Sequence, residues 1–373
     1  MHARAYIEGA TAWQSGWETF KEKPLLGWGW ESFYILQSRH YQPEMLRYGL
    51  AETFFDKPHN IFVEYAVTGG LVGLLLYLGI VYLSLRRSPN ILFSALFIGY
   101  YTQAFFGFDT LNSYIIFIPL LAFLDKREST NLQISKTMPV WSLIVLVGLL
   151  LVSLILVDRV NYRYWLASNA QYHALNYYLN KLPKEGYVFY NKALAADNFY
   201  IDYIRRDLAP AIVQFWQQGL VQENGEKEVR RAVEEFKKVV ASQPNIYTFR
   251  TGFADMLNWL YDFDSSYADL AENELKAAAE LSPNRQGTYH LWAKVKRNRG
   301  DTEAALVYIK KSIALDPQAT PPHFYHSILL FDAGRNDEAY KELKTAVALG
   351  WQPQDHNEAR VIGAFLADTG RYD

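Results

Sequence analysis

The chain contains no cysteine in 373 residues. That excludes disulfides, thiolate metal sites and a cysteine nucleophile, and it leaves the redox character of the compartment open. Charge of one sign is also missing. The 37 Lys and Arg stand against 39 Asp and Glu, a formal net charge of −2. No strong field points to nucleic acid as a partner. The first twenty residues, MHARAYIEGATAWQSGWETF, lack the apolar core of a cleavable signal peptide. The charges that are present fall unevenly. Residues 1–157 hold 11 Lys/Arg and 11 Asp/Glu, most of them before residue 65, and the remaining 26 and 28 follow. The first part therefore reads as membrane-type and the second as a polar, soluble one. The 10 Trp, 27 Tyr and 22 Phe suit membrane interfaces and helical-repeat cores alike, so they do not decide between the two.

Three apolar blocks are present. Ile61 to Leu85 carries one charge, Glu64, and at 1.5 Å per residue is long enough to cross about 30 Å of hydrocarbon. Ile91 to Leu124 is broken near Phe108-Asp109-Thr110-Leu111-Asn112 and reads as a hairpin of two short spans. Val140 to Val157 is uncharged throughout and is the clearest span. Basic clusters at Arg86/Arg87 and Lys126/Arg127/Lys136 should face the cytoplasm. They share a side if the middle block crosses twice. Four spans then put residues 1–58, and everything after residue 158, outside the cytoplasm.

The second part repeats at 34 residues. Pro283 and Pro317, Gly300 and Gly334, Ala305 and Ala339, Ser312 and Ala346, and Leu315 and Leu349 are each 34 apart. Ala271, Leu275, Ala278 and Leu281 fit one period earlier. This pattern resembles the tetratricopeptide repeat, although Lys296 stands where an aromatic is usual. The stretches YVFYNKALAADN and EEFKKVVASQPN read as second helices of degenerate units, so the array is expected to begin near Tyr162. A concave solenoid of this kind suggests a peptide or protein ligand. His323 and His326 have metal-like i, i+3 spacing, but no further ligand accompanies them and no metal is expected.

A distinct motif opens the first apolar block. His59-Asn60 is followed by nine residues and then Gly70-x-x-Gly73. Chance produces this in roughly one chain in a thousand of this length. A second His-Asn pair, His356-Asn357, lacks the glycines. Upstream lie Trp13-Gln14-Ser15-Gly16-Trp17 and Lys23-Pro24-Leu25-Leu26-Gly27-Trp28-Gly29-Trp30. The bland alternative is a helix cap beside an interfacial histidine, with Gly69, Gly70 and Gly73 as close helix contacts and Gly27 and Gly29 shaping a turn. Histidine titrates near working pH and suits the removal of a hydroxyl proton, and arginine offers a fixed fork of donors to phosphate oxygens. A helix N-terminus at His59-Asn60 adds free N–H groups for an anion.

In this order and setting the two motifs resemble the O-antigen ligase/polymerase family of membrane glycosyltransferases, over about residues 4–124. The resemblance implies transfer of a glycan from a polyprenyl-diphosphate carrier to a glycan, lipid or protein acceptor at the outer face of the cytoplasmic membrane. It implies no cofactor. It assigns the essential histidine to His59. The family arginine is less direct: Gly9 stands at its usual place, Arg4 lies one turn earlier, and Arg39, Arg47 and Lys57 are loop alternatives. Asn60 and Glu64 complete the candidate substrate-binding set. The family usually places further spans before this loop, so the chain is expected to be the C-terminal portion of a longer protein.

The expected fold is all-α: polytopic transmembrane helices followed by a C-terminal tetratricopeptide-like α-solenoid. Residues 1–60 form an extracytoplasmic loop and 61–125 transmembrane helices. Residues 126–158 form a cytoplasmic connector and the last span, 140–157, and residues 159–373 form the repeats. The competing functions are a membrane-anchored scaffold without catalysis and a polymerase of lipid-linked polysaccharide.

Overall fold

The computed structural model describes the backbone of residues 2–49, 53–124, 140–196, 198, 200–221, 225–353 and 356–370. Every regular element among them is helical. Two compact units divide the chain: Met1–Glu128 together with Leu275–Asp373, and Ser129–Glu274.

The first unit begins with α1 (His2–Glu22), the one-turn helix α2 (Phe33–Leu36) and a 3-10 turn at Pro43–Tyr48. Then come α3 (Ile61–Arg86), α4 (Ile91–Phe105) and α5 (Leu111–Phe123). Each of the three apolar helices starts on a side-chain cap. Asn60 Oδ1 accepts from the N–H groups of Phe62 and Val63 at 2.9 and 3.2 Å. Asn90 does the same for Leu92 and Phe93, and Thr110 with Ser113 forms a capping box. Phe97, Tyr101 and Phe117 bury themselves between these helices.

The apolar run Ile61–Leu85, long enough by sequence to cross about 30 Å, is interrupted at Gly70. Gly70 has φ 64° and ψ −160°, a combination open essentially to glycine alone. Tyr65 and Tyr77 stack with ring centroids 4.4 Å apart, and Phe62 meets Tyr77 at 5.6 Å. A straight helix would separate Tyr65 from Tyr77 by about 18 Å along its axis. The helix therefore folds back at Gly70. Ile61–Gly69 is a short helix packed beside Leu71–Arg86, and only the latter presents leucines and valines outward.

The break would leave backbone groups unmatched, and the Pro24–Gly29 strap matches them. Trp28 N donates to Val67 O and Gly29 N to Thr68 O, both at 2.9 Å. In the other direction Leu71 N donates to Pro24 O at 2.7 Å and Val72 N to Leu25 O at 3.2 Å. This close crossing is why glycine is required. A Cβ on Gly27 would sit 2.5 Å from the Thr68 carbonyl, and one on Gly70 would strike the Leu25 carbonyl. Gly69, by contrast, has nothing within 4 Å.

In the second unit α6 (Val140–Leu156), a π-helical turn (Val157–Tyr162) and α7 (Arg163–Leu179) run on as one 40-residue helix, Val140–Leu179. No residue of α6 is buried, as expected of a helix facing lipid. By length and composition alone Ile61–Arg86, taken through its break at Gly70, and Val140–Leu179 are the two described helices long and apolar enough to cross a membrane; α4 and α5 are shorter. Beyond α7 come α8 (Pro183–Ala195), α9 (Ile201–Gln217), α10 (Gly225–Ser242), α11 (Tyr247–Trp259) and α12 (Tyr267–Leu281), whose residues from Leu275 onward belong to the first unit. The hairpin α7–α8 turns at Lys181, a non-glycine at φ 59°.

Back in the first unit, α13 (Gln286–Asn298) and α15 (Thr320–Asp332), and α14 (Thr302–Leu315) and α16 (Asn336–Ala348), follow the 34-residue period, and α17 (His356–Thr369) comes after them. Ala305, Ala339, Ser312 and Ala346 are fully buried, where helices approach. Gly300 and Gly334 close their hairpins at φ 77° and 71°, followed by matching bonds from Asp301 N to Lys296 O and Arg335 N to Leu330 O.

Candidate functional site

Four of the sequence-assigned residues, Lys57, His59, Asn60 and Glu64, lie together at the start of the short half of α3. His59 sits at φ 52°, a strained value for a residue with a side chain. Its Nδ1 lies 3.0 Å from the carbonyl oxygen of Lys57. A carbonyl only accepts, so Nδ1 carries a proton, and in the neutral form of the ring the lone pair falls at Nε2. Phe55 and Phe108 hold the ring edge-to-face at 5.7 and 5.2 Å. Asn60 is buried and spends its side chain on the cap.

Lys57 supplies the positive charge. Its Nζ donates to Glu31 at 2.9 Å and lies 3.4 Å from Glu64 Oε1. Burial alone would lower its pKa, but the hydrogen bond to Glu31 and the charge of Glu64 carry it above its ordinary value. It is therefore a fixed ammonium. Glu64 is 4 % exposed, and its Oε2 is buried without a hydrogen-bond partner among the described residues.

The other candidates lie elsewhere. Arg39 stands 3.7 Å from Glu22 and over the Trp28 ring. Arg47 makes a bidentate pair with Asp316, Nε to Oδ2 and Nη2 to Oδ1, both at 2.6 Å. Arg4 falls in α1, and its side chain lies outside the described residues.

Asp109 is a residue that the sequence reading treated only as a break. It lies next to Phe108, which packs on His59. Tyr100 donates to its Oδ1 at 2.6 Å, while Oδ2 is buried and unmatched among the described residues. An acidic side chain between two short apolar helices was the available signal, because such groups seldom face lipid.

Residues 10–78, which contain the strap, the His59 group and the fold-back of α3, match the family model described as O-antigen ligase. The chain thus joins an O-antigen-ligase-like segment to tetratricopeptide-like helical hairpins. No curated protein matches it. Among solved structures it is similar to a thermophilic tetratricopeptide-repeat protein of Thermus thermophilus. Identity there is 20%, over 54% of this chain and 99% of that one, with a TM-score of 0.38. It is also similar to MamA of Desulfovibrio magneticus RS-1 (15% identity, 49% and 94% covered, TM-score 0.36). A third is PilF of Pseudomonas aeruginosa (19%, 57% and 96%, TM-score 0.35).

Proposed function

We propose that the chain carries the reaction site of a membrane glycosyltransferase of the O-antigen ligase type. It takes a glycan from a polyprenyl-diphosphate carrier and hands it to an acceptor outside the cytoplasm. The observation that carries this reading is His59: inside the family-matching segment, its Nδ1 is committed to a backbone carbonyl and its Nε2 is left as the base. In the reaction, Nε2 takes the proton of the acceptor hydroxyl as that oxygen bonds the anomeric carbon. The bond from that carbon to the diphosphate oxygen breaks, and its electrons leave with the lipid diphosphate. The Lys57 ammonium lies where the leaving charge can be met. Arg4 is the candidate for a second cation, and Asn60 and Glu64 shape the acceptor side.

An ion pair supports a location for the site. Arg47 precedes every apolar helix and Asp316 follows them all, yet the two touch. Their contact supports an even number of crossings between them. Leu71–Arg86, α4, α5 and α6 are all 13–17 residues long, about 20–26 Å by helical rise, and suit a locally thin bilayer. With Arg86/Arg87 inside, the His59 loop and residues 275–373 lie outside the cytoplasm, on a multi-pass inner-membrane protein. Residues 1–60, 61–125, 126–158 and 159–373 then serve as outer loop, membrane helices, connector with last span, and repeat region. Alkaline phosphatase fused after Asp373 should be active; activity of a cytoplasm-only fluorescent fusion instead would overturn this topology.

A second reading has its own observation. Arg39 and Arg47 are both paired with carboxylates rather than facing His59, as a non-catalytic scaffold would permit. The experiment is His59→Ala in the full-length protein in membranes with lipid-linked donor. A base predicts a loss of roughly 10²–10⁴-fold in transfer. A merely structural role, through the bond to the Lys57 carbonyl, predicts about 1 kcal/mol of stability lost and transfer kept. His356→Ala is the control. Ligase and polymerase separate by acceptor, since only the polymerase extends a second lipid-linked glycan.

A further inference from the structure

Tyr41, Pro43, Arg47 and Thr53 each touch a residue of the repeats. Gln286, fully buried at the start of α13, donates through Nε2 to Pro43 O at 2.8 Å. The Arg285 guanidinium lies 4.4 Å from the centre of the buried Tyr41 ring, and its Nη2 donates to Thr53 O. Asp316, at the end of α14 and 3 % exposed, grips Arg47 in the bidentate pair described above. Met45 and Leu46, in the 3-10 turn between these anchors, are buried. An aromatic face, a backbone carbonyl at each end and a paired guanidinium are thus all recognised by three neighbouring repeat residues.

The consequence lies a few residues further on. Between Thr53 and Asn60 the chain has almost no regular structure, yet it carries Lys57 and the strained His59. Ordering each such residue costs about 1–2 kcal/mol, so its shape is imposed by its two ends together with the Lys57 and His59 contacts described above. Asn60 fixes the downstream end through its cap, and Arg285 fixes the upstream end at Thr53. We infer that Arg285, Gln286 and Asp316 are positioning residues: the repeats act on this chain's own loop, holding the Lys57–His59 segment in its working shape. Arg47 is on this account a docking handle and not a phosphate ligand. The catalytic half of the inference rests on the transferase reading above; the docking half does not.

The absence of cysteine makes the docking half testable without background. Arg47→Cys with Asp316→Cys, in the full-length protein in membranes, should be joined by a short bis-maleimide and shift in mobility; either single variant should not. Asp316→Arg should raise hydrogen exchange at residues 53–60 by at least about tenfold, since it leaves Arg47 facing a like charge. Arg47→Asp added to it should restore protection by reversing the pair. Transfer should fall in Asp316→Arg mainly through kcat, with KM for the donor nearly unchanged, and recover in the double variant. Failure of the cross-link, or unchanged exchange at 53–60 in a folded Asp316→Arg protein, overturns the inference. If cross-link and exchange behave as stated but wild type transfers nothing, the transferase reading fails while the docking stands. If wild type transfers glycan and Asp316→Arg equals it, the repeats do not position the site.

Discussion

Glycine does opposite work in the two regions of this chain. In the repeats, Gly300 and Gly334 supply a left-handed turn and have nothing within 4 Å of where a Cβ would be. In the N-terminal segment, Gly27 and Gly70 supply positive φ as well, but there two backbones cross against them. The first kind of glycine is a matter of torsion only. The second is also a matter of space, and space is set by a segment distant in sequence. The same residue type is therefore replaceable at modest cost in one region and fixed in the other.

Gly70→Ala is the sharpest way to break this contrast. It adds a Cβ at a backbone carbonyl to a torsion that disfavours side chains. It should cost about 2–5 kcal/mol, read as a large drop in thermal unfolding temperature in detergent. Gly300→Ala carries the torsional part alone and should cost about 1–2 kcal/mol by the same measurement. Equal effects for the two would remove the distinction. Gly69→Ala, one residue from the break but helical and open, should stabilise by up to ~1 kcal/mol.

A pH series probes the repeats alone. His323 Nδ1 lies 2.5 Å from Glu342 Oε1, and its Nε2 donates to Pro317 O at 2.9 Å. The hydrogen bond to Glu342 raises His323 above its ordinary value, so its contribution is whole below pH 6.5 and fades as pH rises through the raised value. Burial would push Glu342 up, but hydrogen bonds from His323 and His326 hold it down to about 2. That contribution is whole above its ordinary 4.5 and fades as pH falls toward 2. Thermal stability should therefore plateau between about pH 4.5 and 6.5 and fall on both sides. His323→Gln should flatten the alkaline limb; an unchanged limb would show that the pair contributes nothing. The smallest effect belongs to Arg335→Ala, which breaks an exposed ion pair with Glu338 and should change stability by less than about 0.5 kcal/mol.

These differences also explain what could be read in advance. The repeat hairpins were legible because their determinants are local: small residues every 34 positions, and a glycine after each first helix. Ala305, Ala339, Ser312 and Ala346 are buried where that period put them. Lys181 shows the limit, since a hairpin can turn on a residue that sends no turn signal. His59, Asn60, Lys57 and Glu64 were legible as a group because they are neighbours in sequence. The fold-back at Gly70 was not, because an unbroken apolar run looks the same whether straight or doubled, and only the strap distinguishes them. Arg47 escaped for the same reason. Its partner Asp316 lies 269 residues away, and an exposed loop arginine reads equally well as a phosphate ligand.

The strap also bears on the order of synthesis. Residues 24–29 leave the ribosome before residues 67–72, so the partners of the broken helix are already made when the break emerges. A permuted chain starting beyond residue 30 would deliver that helix with the Val67 and Thr68 carbonyls and the Leu71 and Val72 amides unmatched. In hydrocarbon each such group costs several kcal/mol. On the membrane location proposed above, the direction in which this polypeptide is read is thus part of how its kinked helix would enter a bilayer.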